Sequence, residues 1–417
     1  MRPTAASLEA AATASALACR LVQPADAVLR EFFRSHHELG SHDRALVAET
    51  VFAVLRHKRL LEALVPDPTP RRLALASLVK FGGISIAALN SLLERDDHEW
   101  LIAVKRAATE TLPAAVQLSL PDWIWERLAG EHAEQEAVSL ARSLLNAAPL
   151  DLRVNTLRGN RDEVLRTFAA DGIAAEPTPY SPVGVRLTGR PAINRHSLFT
   201  TGAVEVQDES SQLACYLVAP KRHEMVVDFC AGAGGKSLML GALMRSQGRI
   251  YAFDVSAARL ARFKPRLKRS GLSNLYPHPI ANENDLRVKR LGGKIDRVLV
   301  DAPCTGLGTL RRNPDLKWRQ SPQSLAELKL KQAAILRAAS NLLKPGGRLV
   351  YATCSLLAAE NEDIVAAFIA DRGDFRKLHC GELLAQQGIA LDTGECLRLA
   401  PHVHGTDGFF AAAMTRS

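Results

Sequence analysis

From residue 225 to the C-terminus the chain alternates short aliphatic runs with helix-forming stretches. No other feature narrows the possible folds as much. The strand-like runs are 225–228, 249–254, 275–280, 297–301, 348–352 and 409–414, and a long helical stretch covers 325–343. Runs that are apolar at nearly every position belong to strands buried on both faces. Alternated with helices, they imply an α/β fold with a mostly parallel, doubly wound sheet. Such sheets bind ligands in the crevice beyond the carboxyl ends of their strands. Two of these strand ends carry reactive groups: Asp301, Pro303 and Cys304 on one, Thr353, Cys354 and Ser355 on the other.

The 417 residues are enough for more than one domain. Residues 1–112 read as helical, with helices expected over 5–21, 26–34, 41–64, 71–79 and 84–93. Leu46, Val47, Thr50, Val51, Val54 and Leu55 fall on one stripe, Ser41 is the expected N-cap, and Pro66, Pro68 and Pro70 end that helix. This helical bundle is a folding or docking module, or it meets phosphates through Arg44, Arg56, Lys58 and Arg59. Residues 113–121 read as a linker. Beyond them come helices at 123–128, 136–145 and 161–171 and strands at 151–155 and 184–187, which suggest a compact α+β module. In it, Arg153 and Asn155 either hold a backbone phosphate or form a solvated strand end. The expected division is 1–115, 116–200 and 201–417.

A net charge of +9 favours a polyanionic partner without requiring one. Seven cysteines are scattered with no CxxC pair, so no metal is expected. Their odd number, and an Ala-rich N-terminus interrupted by Glu9, suit reduced thiols in a cytoplasm, with no secretory signal. No apolar run is long enough for a membrane span.

The stretch MVVDFCAGAGGKSLML places a glycine turn between a strand and a helix. Glycines there admit a ligand close to the backbone, and the helix start offers free N–H groups. The spacing matches neither GxxxxGK[ST] nor GxGxxG. Asp254, at the end of the next strand, suits a pair of ribose hydroxyls. Asn282, past the third, either recognises an adenine or is a loop residue. Without a separate pyrophosphate loop, the arrangement suits S-adenosyl-L-methionine better than a dinucleotide.

Two cysteines at strand tips, with Asp301 three residues before the first, imply a thiolate nucleophile beside an acid. Methyl transfer needs such a thiolate when the acceptor carbon is not itself nucleophilic. The C5 of a pyrimidine becomes nucleophilic once a thiolate has added at C6. The motifs DAPCTGLGTLRRNPDLKW and YATCSLLAAENE resemble the two signatures of the RNA cytosine-C5 methyltransferases, and specifically the bacterial Sun/Fmu (RsmB-like) small-subunit rRNA branch. DFCAGAGGKS, VQDESSQLA and DGFF also resemble segments of that family, and LGSHDRALVAETVFAVLR resembles its NusB-like helical domain. The chain departs from the family at Ala231-Gly232-Ala233, where many members carry Ala-Ala-Pro, and at Asn282, where close relatives often carry Asp.

The resemblance implies a class I, Rossmann-like methyltransferase sheet preceded by a NusB-like all-α domain and a small α+β RNA-binding module. It implies Cys354 as nucleophile, Cys304 in product release, Asp301 at the base and Lys236 near it. Cofactor contacts carry over to Cys230, Ala231, Gly232, Ala233, Gly234, Gly235, Lys236, Asp254, Asn282 and Asp301. The implied partner is small-subunit (16S) rRNA, met by a cytoplasmic monomer through 5-methylcytosine formation. The alternatives are a tRNA substrate and a non-catalytic RNA-binding or assembly factor. The cluster Arg311, Arg312, Lys317, Trp318 and Arg319 reads as basic residues with one aromatic, suited to single-stranded RNA.

Overall fold

A computed structural model describes residues 3–189 and 191–417; Met1, Arg2 and Arg190 lie outside it. The chain forms two compact units, one reaching to Ala147 and including Thr309–Pro322, the other formed by Ala148–Gly308 and Gln323–Ser417.

The first unit is helical. Thr4 and Ser7 form a capping box that starts the helix Ala5–Cys19, whose Ala10, Ala11, Ala14 and Ala18 are buried. Two expectations need correction here. The N-cap of the next long helix is Gly40 and not Ser41, and the helix expected over 41–64 is two: Ser41–Arg56 and Lys58–Leu64. The break falls at His57, whose half-buried ring stacks on Phe81 at 3.7 Å between centroids. Burial, reinforced by Lys317 and Arg56, pulls its imidazole down to about 3, so it packs as a neutral ring. The 113–121 stretch contains a short helix, Ala114–Gln117. Asp122–Glu131 and Glu134–Ser143 cluster with this unit, although the sequence reading grouped them with the small module.

The second unit holds two sheets. In the smaller, β1 (Leu150–Val154), β2 (Ala175–Pro177), β3 (Gly184–Leu187) and β4 (Val204–Val206) pair antiparallel in the order β2-β3-β1-β4. The short strands β2 and β4 have no alternation long enough to be legible in the sequence.

The larger sheet contains β5 (Met225–Asp228), β6 (Arg249–Asp254), β7 (Leu275–Pro279), β8 (Ile295–Asp301), β9 (Leu343–Thr353), β10 (Phe375–Leu378), β11 (Leu397–Leu399) and β12 (Phe409–Arg416). Its order is β10-β12-β9-β8-β5-β6-β7, with β11 paired to β12. β5 to β9 are mutually parallel, and β12 runs antiparallel to β9. The central strands bury alternate residues in two cores. Val226, Leu299 and Val350 face one, and Val227, Val298 and Leu349 the other. This is the physical meaning of their uninterrupted hydrophobicity. Strand order reverses between β5 and β8, so the crevice opens beyond their carboxyl ends.

Candidate active site

A pocket of about 520 Å³ occupies that crevice. The turn after β5 lines it with Cys230, Ala231, Gly232, Ala233, Gly235 and Lys236. Gly234 is not in the lining and has a packing reason instead. Its φ is +81°, and a Cβ there would lie 2.2 Å from the Phe263 ring. The helix Gly235–Leu243 begins at this turn and presents its N-terminus to the pocket.

Two carboxylates shape the loop. Asp254 accepts hydrogen bonds from Gly232 N–H at 2.8 Å and Ser256 N–H at 2.7 Å, which pins the glycine turn to the end of β6. Asp228 accepts from the Ser237 hydroxyl at 2.6 Å through Oδ2, while Oδ1 is buried with no hydrogen-bond partner. Burial pushes its carboxyl up to about 7, with the charges of Asp301 and Asp254 adding to the effect. Asn282 is exposed, and its side-chain oxygen accepts from Asn284 N–H. The pocket wall there is built by Ile280 and Glu283.

At the centre, Lys236 Nζ lies 2.7 Å from Asp301 Oδ2. Burial disfavours the ammonium, but Asp301 outweighs it and holds Lys236 above its ordinary value. The same ammonium sits 5.2 Å from the centroid of Phe409. Beside this pair, Cys304 Sγ and Cys354 Sγ are 3.5 Å apart, and both line the pocket. Contact with Cys354, burial and the Glu360 charge keep Cys304 a neutral thiol, raised well above the ordinary range.

What holds the two cysteine loops together was not legible from the motifs. Glu360 is fully buried and accepts from Thr305 N–H at 2.9 Å and from the Thr305 hydroxyl at 2.5 Å. It also accepts from the Ser355 hydroxyl at 2.5 Å and the Gln332 amide at 2.8 Å. One carboxylate thus binds the residue after each cysteine. The same Gln332 amide donates to Pro303 O at 3.0 Å, and Asn361 donates to Ser355 O at 3.2 Å. Gln207, Asp208, Ser211, Glu283 and Lys331 also line the pocket and were not singled out from sequence.

Several expected phosphate contacts are instead internal. Arg153 is 3% exposed and donates to Gln207 Oε1 at 2.6 Å and Gly235 O at 2.8 Å, so it ties the small sheet to the glycine turn. Asn155 donates to Gly202 O and Ser270 O. In the helical unit Arg44 donates to Leu39 O, Arg56 to Arg311 O and Arg59 to Leu120 O, while Lys58 pairs with Glu62.

The basic cluster after the first cysteine needs the same correction. Lys317 is 2% exposed and donates to Arg56 O at 2.7 Å. Trp318 donates its indole N–H to Leu55 O at 2.7 Å, Arg311 donates to Ala147 O, and Arg319 pairs with Asp315. Arg311, Lys317, Trp318 and Arg319 are therefore packing material of the helical unit.

Comparison with known proteins places these features in context. A family model described as 16S rRNA methyltransferase RsmB/F matches residues 215–415, and one for the RsmF/B-like ferredoxin-like domain matches residues 120–194. A probable ribosomal RNA small subunit methyltransferase B of Synechocystis is 33% identical, covering 91% of this chain and 93% of that protein. The ribosomal RNA small subunit methyltransferase B of Klebsiella pneumoniae is 34% identical over 91% of each chain. Among solved structures, a methyltransferase homologue from Pyrococcus horikoshii aligns with a TM-score of 0.63 and 28% identity, over 75% of this chain and all of that one.

Proposed function

This chain belongs to the 16S rRNA methyltransferase RsmB/F family, and on that basis we propose that it forms 5-methylcytosine in small-subunit rRNA, with Cys354 as the nucleophile. S-adenosyl-L-methionine is the methyl donor. The observation that carries the reading is the pair of thiols, 3.5 Å apart, in one pocket with the Lys236–Asp301 ion pair.

The residues present fit the donor. The unpartnered Oδ1 of Asp228 suits an ammonium, Asp254 suits ribose hydroxyls, and the helix start at Gly235 suits a carboxylate. Cys230, Ala231, Gly232, Ala233, Gly235, Lys236 and Asp301 line the same space, and Gly234 and Asn282 are kept as candidates from the family pattern alone. Bound there, the donor supplies an electrophilic methyl group on a sulfonium.

The chain's own residues do the rest. Cys354 as thiolate adds to C6 of a flipped cytosine, and the electrons of the C5–C6 double bond move to C5. Asp301 passes a proton shared with the Lys236 ammonium to N3, which stabilises the ring as it becomes electron-rich. C5 then takes up the methyl group. A base, water admitted to the pocket, takes the C5 proton; the C–H electron pair restores the double bond and Cys354 leaves as its thiolate. The neutral Cys304 thiol beside it assists that last step. We assign residues 1–115 to a NusB-like docking domain, 116–200 to RNA binding and 201–417 to catalysis. The matched ferredoxin-like span supports the middle assignment.

Bisulfite sequencing of 16S rRNA from a deletion strain tests the reading. One cytosine should lose its protection, and regain it with the wild-type gene but not with Cys354→Ala. Unchanged protection at every 16S cytosine in the deletion strain overturns it.

A further inference from the structure

The helix Ala257–Ser270 carries Arg259, Arg262, Lys264, Arg266, Lys268 and Arg269 and no acidic residue. Its last-turn cations complement the helix dipole, which accounts for Lys268 and Arg269. Internal pairing accounts for others. The buried Glu205 accepts from Arg266 at 3.0 Å and from Arg269 at 2.7 Å, and Arg259 stands 3.7 Å from Asp254. Arg262 and Lys264 have no ion-pair partner among the described residues, and both are exposed.

Of the two, Arg262 lines a shallow groove of about 490 Å³, together with Phe199, Glu205, Val206, Pro265, Arg266 and Arg269. The Arg269 guanidinium lies 4.2 Å over the Phe199 ring, and Glu205 fixes it from the other side. Arg266 is fixed likewise, by Glu205 and by its bond to Ala233 O at 2.8 Å. The groove therefore presents guanidinium groups that are already ordered, which lowers the entropy cost of using them. Glu205 is its one acidic lining residue, and it is 2% exposed and already holds two arginines. Val206 and Arg266 line both this groove and the catalytic pocket, so the two lie side by side.

We propose that this groove carries the RNA backbone next to the target nucleotide, with Arg262 on a phosphate. The inference rests on the RNA reading above and extends it. A flipped base in the pocket must remain joined to its strand, and the strand leaves through whatever opens from the pocket. A groove lined by fixed guanidiniums and the unpaired Arg262, whose single carboxylate is buried and already paired, suits a polyanion.

The test uses the full chain and an unmodified 16S rRNA transcript, with methyl incorporation measured from 50 to 200 mM salt. Arg262→Glu should raise the KM for the transcript at least tenfold and leave kcat within twofold. It should also flatten the slope of log KM against log salt by about one, the value for one phosphate contact. Arg262→Lys should restore most of the affinity. Arg376→Glu, the same charge change on β10 at the far edge of the sheet, should alter nothing. Calorimetric binding of S-adenosyl-L-methionine should be unchanged in every variant, which separates a folding defect from a binding one. A KM and salt slope for Arg262→Glu equal to those of the Arg376→Glu control would overturn the groove while leaving the enzyme reading intact. If the wild-type chain methylates no 16S transcript, free or particle-bound, both fall.

Discussion

The Sγ atoms of Cys304 and Cys354 lie 3.5 Å apart, at the ends of the neighbouring parallel strands β8 and β9. They are not equivalent: Cys304 is held as a neutral thiol by its partner, its burial and Glu360. Two different losses of function are therefore expected. Cys354→Ala should reduce methylation to background and form no RNA adduct. Cys304→Ala should still attack and then stall, leaving a protein–RNA species that survives denaturing electrophoresis. Adduct in the first variant, or its absence in the second, would reverse or remove the assigned roles.

Glu360 makes the two loops one object. Glu360→Ala would leave Thr305 N–H and two hydroxyls without their acceptor in a dry interior. The expected cost is on the order of 3 kcal/mol of stability, since each buried group left unsatisfied costs about 1–3 kcal/mol. Glu360→Gln keeps the shape but puts an NH₂ against a donor. It should lower kcat more than it raises the KM for RNA, because the thiols lose register while the pocket persists. Denaturant unfolding and steady-state kinetics measure the two effects separately. An unchanged kcat in the Gln variant would confine Glu360 to stability.

The doubly wound sheet was legible because its central strands are buried on both faces, and residues such as Val226, Val227, Leu299 and Val350 leave no room for another reading. The strand tips were legible for the same reason, since a buried strand must end where polar residues resume. Long-range hydrogen bonds were not legible. Nothing near Lys317 or Trp318 in the chain announces that their N–H groups go to Arg56 O and Leu55 O, more than 250 residues away. Arg153 and Asn155 were misread likewise: a cation or amide at a strand end gives no sign of whether a carbonyl or water awaits it. Asn282 was assigned from strand position, and the structure spends its side-chain oxygen on a local turn.

The segment around Trp318 should respond to substitution as a structural element. Trp318→Phe deletes the indole N–H and leaves Leu55 O without that donor, at a cost of about 1–2 kcal/mol. The KM for RNA should not change. Lys317 is pulled well below its ordinary value by burial and by Arg56. The unfolded chain therefore binds a proton that the folded one resists, and stability should rise as pH climbs towards 10.5, the ordinary lysine value. Lys317→Met should remove that rise. Chemical denaturation at a series of alkaline pH values would show it, and an equal slope in the Met variant would count against the assignment.

Asp228 offers a sharper test of the donor site, because its carboxyl is raised from 3.8 to about 7 by burial, with Asp301 and Asp254 adding to it. The folded chain then holds a proton that the unfolded chain has lost, so this group's contribution makes the free protein less stable as pH rises from about 4 to about 7. A cationic ammonium placed at the unpartnered Oδ1 favours the ionised form. Binding of S-adenosyl-L-methionine should therefore expel a proton below pH 7. Affinity should increase towards pH 7, by at most about tenfold per unit, which is the limit for one proton. Asp228→Asn removes the titration, so the difference between the two proteins isolates this group from the donor's own ionisations. Calorimetry in buffers of differing ionisation enthalpy counts the proton directly. Release of the same number by wild type and Asn variant would mean that Asp228 does not face the bound ammonium.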